Sequence, residues 1–144
     1  MHSLTTPHWP RLFLLLFWTL VMIGCKKSTP ADPSPDPDVA AKVSGRYMIT
    51  ALTTTQPVTS YSGTVFIVRN GTTIDTVDLT LSYATAGSSG SSSFTETKTL
   101  TLKAAGTIVD LYNGTTKVGT WTATELTLTD YPFNNSSVNV TATK

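Results

Sequence analysis

Charge, histidine and cysteine are all scarce in this sequence. Charged residues make up 13% of the 144 residues, and the formal net charge is +1, so the charged share is roughly half of that usual in soluble domains. Both histidines, His2 and His8, precede a hydrophobic run near the N-terminus, and the only cysteine is Cys25. The chain beyond residue 24 therefore excludes a Ser-His-Asp triad, a Cys-His pair, a histidine metal site and an intrachain disulfide.

Motifs for catalysis and for nucleotide binding are also missing. The low net charge argues against a nucleic-acid partner, and there is neither a Gly-x-Ser-x-Gly segment nor a glycine-rich phosphate loop ahead of a helix. Asp110, which shares strand parity with Ile108 and Tyr112, is the best candidate for a catalytic carboxyl, although a purely structural role is the commoner one. We therefore predict a protein that is not an enzyme and uses no cofactor or metal.

The N-terminus carries a targeting pattern. Arg11 precedes the 12 residues 12–23, of which only Thr19 is polar. Because this run is too short to cross about 30 Å of hydrocarbon, it indicates a signal peptide. Met22-Ile23-Gly24-Cys25 follows and resembles the lipobox of bacterial lipoproteins. That resemblance implies a lipoprotein signal peptide over residues 1–24, and acylation of the Cys25 thiol with chains such as palmitate.

A lipid anchor at Cys25 has consequences for location. Two or three acyl chains hold a protein on the bilayer almost irreversibly, at about 0.8 kcal/mol per buried methylene. Lys26 after the cysteine implies, by the same resemblance, the bacterial outer membrane, with the periplasmic or cell-surface side left open. Residues 28–38 contain four prolines and favour an extended tether. We assign residues 25–41 to the lipidated cysteine and tether, and residues 42–144 to a folded domain.

The composition of this domain predicts β-strands. It carries 25 threonines between Thr50 and Thr143, and threonine with the β-branched and aromatic residues suits a pleated surface. Turn signals such as Asn70-Gly71, Asn113-Gly114 and the segment 87–92 divide the domain. The predicted strands are Arg46–Thr53, Gly63–Arg69, Thr73–Ala84, Ser93–Lys103, Thr107–Tyr112, Lys117–Thr122, Glu125–Thr129 and Ser137–Thr143. Tight turns between most of them predict an antiparallel meander.

Alternation of apolar and polar residues predicts the faces of these strands. In the third strand, alternation places Val77, Leu79, Leu81 and Tyr83 on the same face. The first two strands are apolar on both faces, which suits the interior of a sandwich or a wall covered on both sides. In the fourth strand Glu96 and Lys98 share a face with Leu100, so we expect the hairpin around residues 88–93 to project beyond the core.

Two short motifs resemble a known family. Val43-Ser44-Gly45-Arg46-Tyr47 resembles the Gly-x-Trp opening of lipocalin-like domains, with tyrosine in place of tryptophan. Gly119-Thr-Trp121 with Leu126-Thr-Leu-Thr-Asp130 resembles the close of the small lipocalin-like domains on Bacteroidota lipoproteins. The resemblance implies an all-β, antiparallel eight-stranded meander closing into a small lipocalin-like barrel. A transthyretin-like or immunoglobulin-like β-sandwich is the alternative.

Two functions follow from this interpretation. In the first, the barrel binds a small apolar molecule or a glycan fragment, with Tyr47, Phe66, Tyr83 and Trp121 as candidate ligand-binding residues, although a role in the core is the commoner one for such aromatic residues. In the second, the protein is an interaction or structural module that meets another envelope protein through its outer face and the 87–92 hairpin. Asp75-Thr76-Val77 also resembles an O-glycosylation acceptor in Bacteroidota.

Overall fold

A computed structural model describes residues 38–87 and 90–144, and most of this part of the chain is strand. A short helix, α1 (Val39–Val43), is followed by eight strands. These are β1 (Gly45–Thr53), β2 (Ser60–Arg69), β3 (Thr76–Gly87), β4 (Gly90–Ala105), β5 (Ile108–Asn113), β6 (Thr116–Trp121), β7 (Glu125–Phe133) and β8 (Ser136–Thr143). The predicted signal peptide, Cys25 and all but the end of the predicted tether lie outside the described residues.

The strands form one antiparallel sheet in chain order, and β8 pairs with β1 to close it into a barrel. The predicted fold class, an eight-stranded lipocalin-like barrel, is confirmed, and this single closed sheet excludes the β-sandwich. Each predicted strand is present. The alternation predicted for β3 also holds, because Val77, Leu79 and Leu81 are fully buried and Tyr83 is nearly so.

The outer face of the first two strands corrects one expectation. Met48, Phe66 and Val68 were expected on a wall covered on both sides, but they lie on the outer surface, with 56%, 44% and 39% exposure. The physical reason is the architecture. A barrel of one sheet layer has only one covered face, so apolar residues of the outward parity remain in solvent.

A bulge extends β7 four residues beyond its predicted end. The register against β8 shifts between Leu128 and Tyr131, and Asp130 adopts a left-handed conformation with φ 47°. The side-chain oxygen of Asn139 accepts a hydrogen bond from the Asp130 N–H at 2.8 Å. The extra residue turns Tyr131 and Phe133 into the barrel, where both are buried. The Tyr131-Pro-Phe133 segment is therefore strand.

Helix α1 packs against the end of the barrel where β1 begins. The Asp38 carboxylate accepts a hydrogen bond from the Ala41 N–H at 2.9 Å and pairs with Arg69. The Ala40 N–H donates to the Ile74 carbonyl at 2.8 Å, and the Val43 carbonyl accepts from the Tyr47 hydroxyl at 2.5 Å. These contacts bring residues 39–41, which the sequence assigns to the tether, into the packed domain.

Candidate functional site

Two of the four predicted ligand-binding residues lie in the buried core of the barrel. Tyr47 on β1 and Trp121 on β6 are both buried in the core. Burial raises the pKa of the Tyr47 hydroxyl, and the nearby Trp121 indole offsets part of that rise. The Trp121 N–H nevertheless makes no hydrogen bond of ordinary geometry within the described chain. Neither residue lines the cavities described below.

The other two predicted residues lie on opposite faces of the wall. Phe66 is outside, because it has the opposite strand parity to the buried Val65 and Ile67. It cannot line an interior with Tyr47, as the sequence interpretation required. Tyr83 is inside, near the end of β3 that is furthest from α1. The structure therefore does not bring the four aromatic residues into a single site.

Tyr83 belongs instead to an aromatic group that the sequence did not reveal. Its ring centroid lies 5.2 Å from that of Phe94 and 5.1 Å from that of Phe133, and the two phenylalanines are 6.4 Å apart. Tyr83 and Phe94 are direct cross-strand partners on β3 and β4. Phe133 joins them from β7 through the bulge. Such tilted and edge-on arrangements are favourable for aromatic rings.

These three rings contribute to the lining of a cavity of about 280 Å³, which we call the mouth cavity. It lies between the β1–β2 loop, the β3–β4 hairpin and the β7–β8 turn, at the end of the barrel away from α1. Polar side chains line it beside the rings, namely Thr54, Thr55, Gln56, Thr85, Ser92, Asn134 and Ser136. No charged side chain among the described residues lines this cavity.

Phe94 and Phe133 were hidden in the sequence for different reasons. Phe94 shares parity with the buried Leu100 and Leu102, and this was a usable signal. Glu96 and Lys98, which stand between Phe94 and Leu100, masked it. Phe133 follows Pro132, which argues against a continuing strand, and the bulge at Asp130 places Phe133 on the inner face.

A charged pair lies in the wall beside the mouth cavity. The Lys98 Nζ lies 2.5 Å from the Glu96 Oε1, and the Asn134 N–H donates to the other Glu96 oxygen at 2.9 Å. The hydrogen bond from Lys98 holds the pKa of Glu96 below its ordinary value. Burial, assisted by the negative charge of Glu96, raises the pKa of Tyr131 well above its usual range. Pairing explains how Glu96 and Lys98 share a face with Leu100.

A second cavity of about 480 Å³ lies next to this pair. Its lining consists of Glu96, Lys98 and residues 132–136 of the β7–β8 turn. It shares Phe133, Asn134 and Ser136 with the mouth cavity. The barrel wall therefore has a gap between β4 and the β7–β8 turn, and side chains or solvent can enter it.

Two carboxylates on the outer face, those of Asp110 and Asp78, have structural partners. Asp110, the best catalytic candidate in the sequence, pairs with the Lys117 Nζ at 2.8 Å. Asp78 accepts hydrogen bonds from Asn70 and from Thr99, at 2.9 and 2.7 Å for its Oδ1. These bonds, led by that from Thr99, lower the pKa of Asp78. Neither carboxylate lines the mouth cavity.

Chemistry that needs a metal-ligand cluster has no support in residues 38–87 and 90–144. No three His, Cys, Asp or Glu side chains come together there. In the same part of the chain, no helix has the length and apolar character needed to cross a membrane. Comparison with protein families, with curated proteins and with solved structures found no match to this chain.

Proposed function

We propose that this protein is a lipid-anchored lipoprotein of the bacterial outer membrane whose barrel binds a small neutral ligand, an apolar molecule or a glycan fragment, without catalysis. The observation that supports the binding role is the aromatic lining of the mouth cavity beside its polar side chains. At about 280 Å³, the cavity is just below the range of roughly 300–1,000 Å³ typical of ligand pockets. A ligand of one or two rings matches that size.

The lining of the cavity favours a particular class of ligand. The rings of Tyr83, Phe94 and Phe133 offer an apolar surface on which the C–H face of a sugar or a flat hydrophobic molecule can stack. Hydroxyl and amide groups beside them supply hydrogen bonds that fix orientation. Because no charged side chain lines the cavity in the described chain, a charged ligand would lose its hydration without a compensating partner. Neutral ligands are therefore favoured.

The position of the mouth cavity suits an anchored protein. Strand β1 runs from the α1 end of the barrel to the β1–β2 loop, whose residues 54–58 line the mouth cavity. The chain from Cys25 thus joins the barrel at the end opposite the cavity. A bilayer anchor at that cysteine leaves the mouth accessible.

The anchor is tested by labelling cells with a palmitate analogue. We expect the wild-type protein to be labelled and to sediment with membranes, because the acylated thiol of Cys25 holds it there. Cys25→Ser should abolish the label. Ser28→Ala, a small change three residues further on, serves as the control and should keep it. Absence of label from the wild-type protein would contradict the lipoprotein assignment.

Ligand binding is tested on the full chain by calorimetry and by thermal shift. The probes are neutral monosaccharides (glucose, galactose, N-acetylglucosamine) and neutral aromatics (phenol, indole). We expect at least one probe to bind and raise Tm, and Phe94→Ala to weaken that binding at least about tenfold, a loss of ~1.4 kcal/mol. Phe66→Ala is the matched control, because this partly exposed phenylalanine lies on the outer face. Equal losses in both variants would argue against the mouth cavity.

A second candidate function is that of an interaction module of the envelope. The observation that favours it is the set of exposed apolar side chains on the outer face of β1 and β2, Met48, Phe66 and Val68. If no probe binds, and Phe66→Ala alone weakens the association of the protein with other envelope proteins in cells, this second function becomes the better supported one.

A further inference from the structure

Strand β4 carries an aromatic side chain and a charged pair in succession along one face. Phe94 lines the mouth cavity. Glu96 and Lys98, the next two residues of the same parity, line the second cavity. Because a strand rises about 3.3–3.4 Å per residue, residues two positions apart are separated by about 6.7 Å. One ligand of modest size can therefore contact both the ring and the charged pair.

The β7–β8 turn faces this part of β4 across the gap in the barrel wall. Strand β5 pairs with β4 only from Thr101 to Ala105, so it does not reach the side of β4 at Glu96. The turn lies there instead, and its Asn134 N–H donates to the Glu96 carboxylate at 2.9 Å. The second cavity thus lies between a strand and a turn that are already joined by a hydrogen bond.

The same turn borders both cavities. Phe133, Asn134 and Ser136 belong to both linings, whereas Pro132 and Asn135 belong only to that of the second cavity. Asn134 and Asn135 stand between the paired Phe133 and Ser136, with φ values of 43° and 63°. Positive φ at both central residues is typical of the tight type I′ turn. The backbone that carries the two amides is therefore held in one conformation.

The charged pair keeps unused hydrogen-bonding capacity. One Glu96 oxygen accepts from Lys98, and the other accepts from Asn134. An ionised carboxylate offers about four acceptor positions, and a lysine ammonium group offers about three donors, so both groups have positions left for a ligand. The side chains of Glu96 and Lys98 are 23% and 25% exposed, so they are reachable from solvent.

Such a pair favours a neutral ligand that is rich in hydroxyl groups. Its two charges have opposite signs, so neither an anion nor a cation is attracted overall. An apolar group would cover both charges without replacing their hydrogen bonds to water, which is unfavourable. A hydroxyl group both donates and accepts, so neighbouring hydroxyls of one sugar can bond to Glu96 and to Lys98 together. Hydrogen bonds to charged groups are the stronger kind.

We propose that the second cavity is a subsite for a sugar unit, and that the ligand is a neutral glycan of at least two units. One unit stacks on the rings of the mouth cavity, and the next bonds to Glu96, Lys98 and the Asn135 amide. This inference rests on the proposed binding function of the mouth cavity, and it selects the glycan over the apolar molecule. Because the second cavity opens outward through the gap in the wall, a longer glycan can continue out of the barrel.

Calorimetry on the full chain compares disaccharides with the monosaccharides that they contain. The probes are maltose, cellobiose, lactose and N,N′-diacetylchitobiose, against glucose, galactose and N-acetylglucosamine. We expect at least one disaccharide to bind at least about tenfold more tightly than its own monosaccharides. The reason is that only the disaccharide reaches the charged pair while its other unit occupies the mouth cavity.

Two variants change the second subsite and leave the lining of the mouth cavity intact. Glu96→Gln replaces the carboxylate with an amide. Asn135→Gly removes the amide and keeps a residue suited to positive φ, so it remains informative if Glu96→Gln does not fold. Each should weaken binding of the disaccharide at least about fivefold and leave binding of the monosaccharide unchanged. Glu125→Gln is the matched control, because it makes the same change at an exposed position at the other end of β7, and it should bind like the wild-type chain.

The outcomes separate this inference from the function on which it rests. If no disaccharide binds more tightly than its monosaccharides, or if either folded variant binds the disaccharide like the wild-type chain, the second subsite is overturned. Monosaccharide binding that depends on Phe94 would then still support the mouth cavity. Binding of phenol or indole alone would overturn the glycan assignment in the same way. If no sugar and no aromatic probe binds, the proposed function fails and this inference fails with it.

Discussion

Replacing Val43 with aspartate is expected to lower the free energy of unfolding by about 4 kcal/mol or more. Val43 is fully buried at the end of α1, and its carbonyl accepts the Tyr47 hydroxyl. A carboxylate there would lie among apolar side chains and lose its hydration without a partner. For a domain of this size, the change corresponds to a fall in Tm on the order of 15 °C or more.

Thermal and urea unfolding of the full chain, followed by circular dichroism, measures this effect. The matched control is Lys42→Asp, which introduces the same residue one position earlier in the same helix, where the side chain is exposed. It should change the unfolding free energy by no more than about 0.5 kcal/mol. If neither variant changed the unfolding free energy, α1 would contribute nothing to the stability of the barrel, and the domain would begin after it.

Replacing Gly63 with valine is expected to cost about 3 kcal/mol or more, which is the upper end of overpacking effects. A Cβ atom at this position would lie 2.4 Å from the Ser82 carbonyl oxygen and 2.7 Å from the Tyr83 Cβ. It would also lie 2.8 Å from the Ile49 Cδ1. Since one of these neighbours is backbone of the paired strand β3, the strands must separate locally. Tyr83 would shift with them, and the mouth cavity would change shape.

Gly87→Val is the matched control for this substitution. Gly87 also lies on β3 and lines the mouth cavity, but a Cβ there meets only the Pro57 carbonyl oxygen, at 3.4 Å. We expect its unfolding midpoint in urea to stay close to that of the wild-type chain, within about 1 kcal/mol in free energy. If Gly63→Val were as stable as this control, that result would contradict the close approach of β2 and β3 at Gly63.

Local patterning was sufficient to predict the strands because alternation is a property of neighbouring residues. In β3, Val77, Leu79 and Leu81 alternate with polar residues, and their inward orientation follows directly. The same rule failed on β1 and β2, where both parities are apolar. Periodicity cannot show which parity faces the core when neither is polar. The closed barrel decided it, and Phe66 was left outside.

The candidate site was less predictable than the strands. Tyr47 and Trp121, named from the motifs, are packed into the interior, while Tyr83 alone of the four lines the mouth cavity. Its neighbours Phe94 and Phe133 depend on the register between β3 and β4 and on the Asp130 bulge. A bulge shifts every later side chain of a strand to the opposite face. Its left-handed residue here is an aspartate, which gives no strong warning in the sequence.

The sequence by itself determined the all-β class, the eight strands and the orientation of residues wherever polar and apolar positions alternate. These properties depend on residues one or two positions apart. Tertiary structure alone decided which aromatic side chains meet, which end of the barrel α1 covers, and how far β4 extends beyond β5. Those features depend on pairings between distant residues, and pairing geometry is set by register, bulges and closure of the sheet, not by the local pattern.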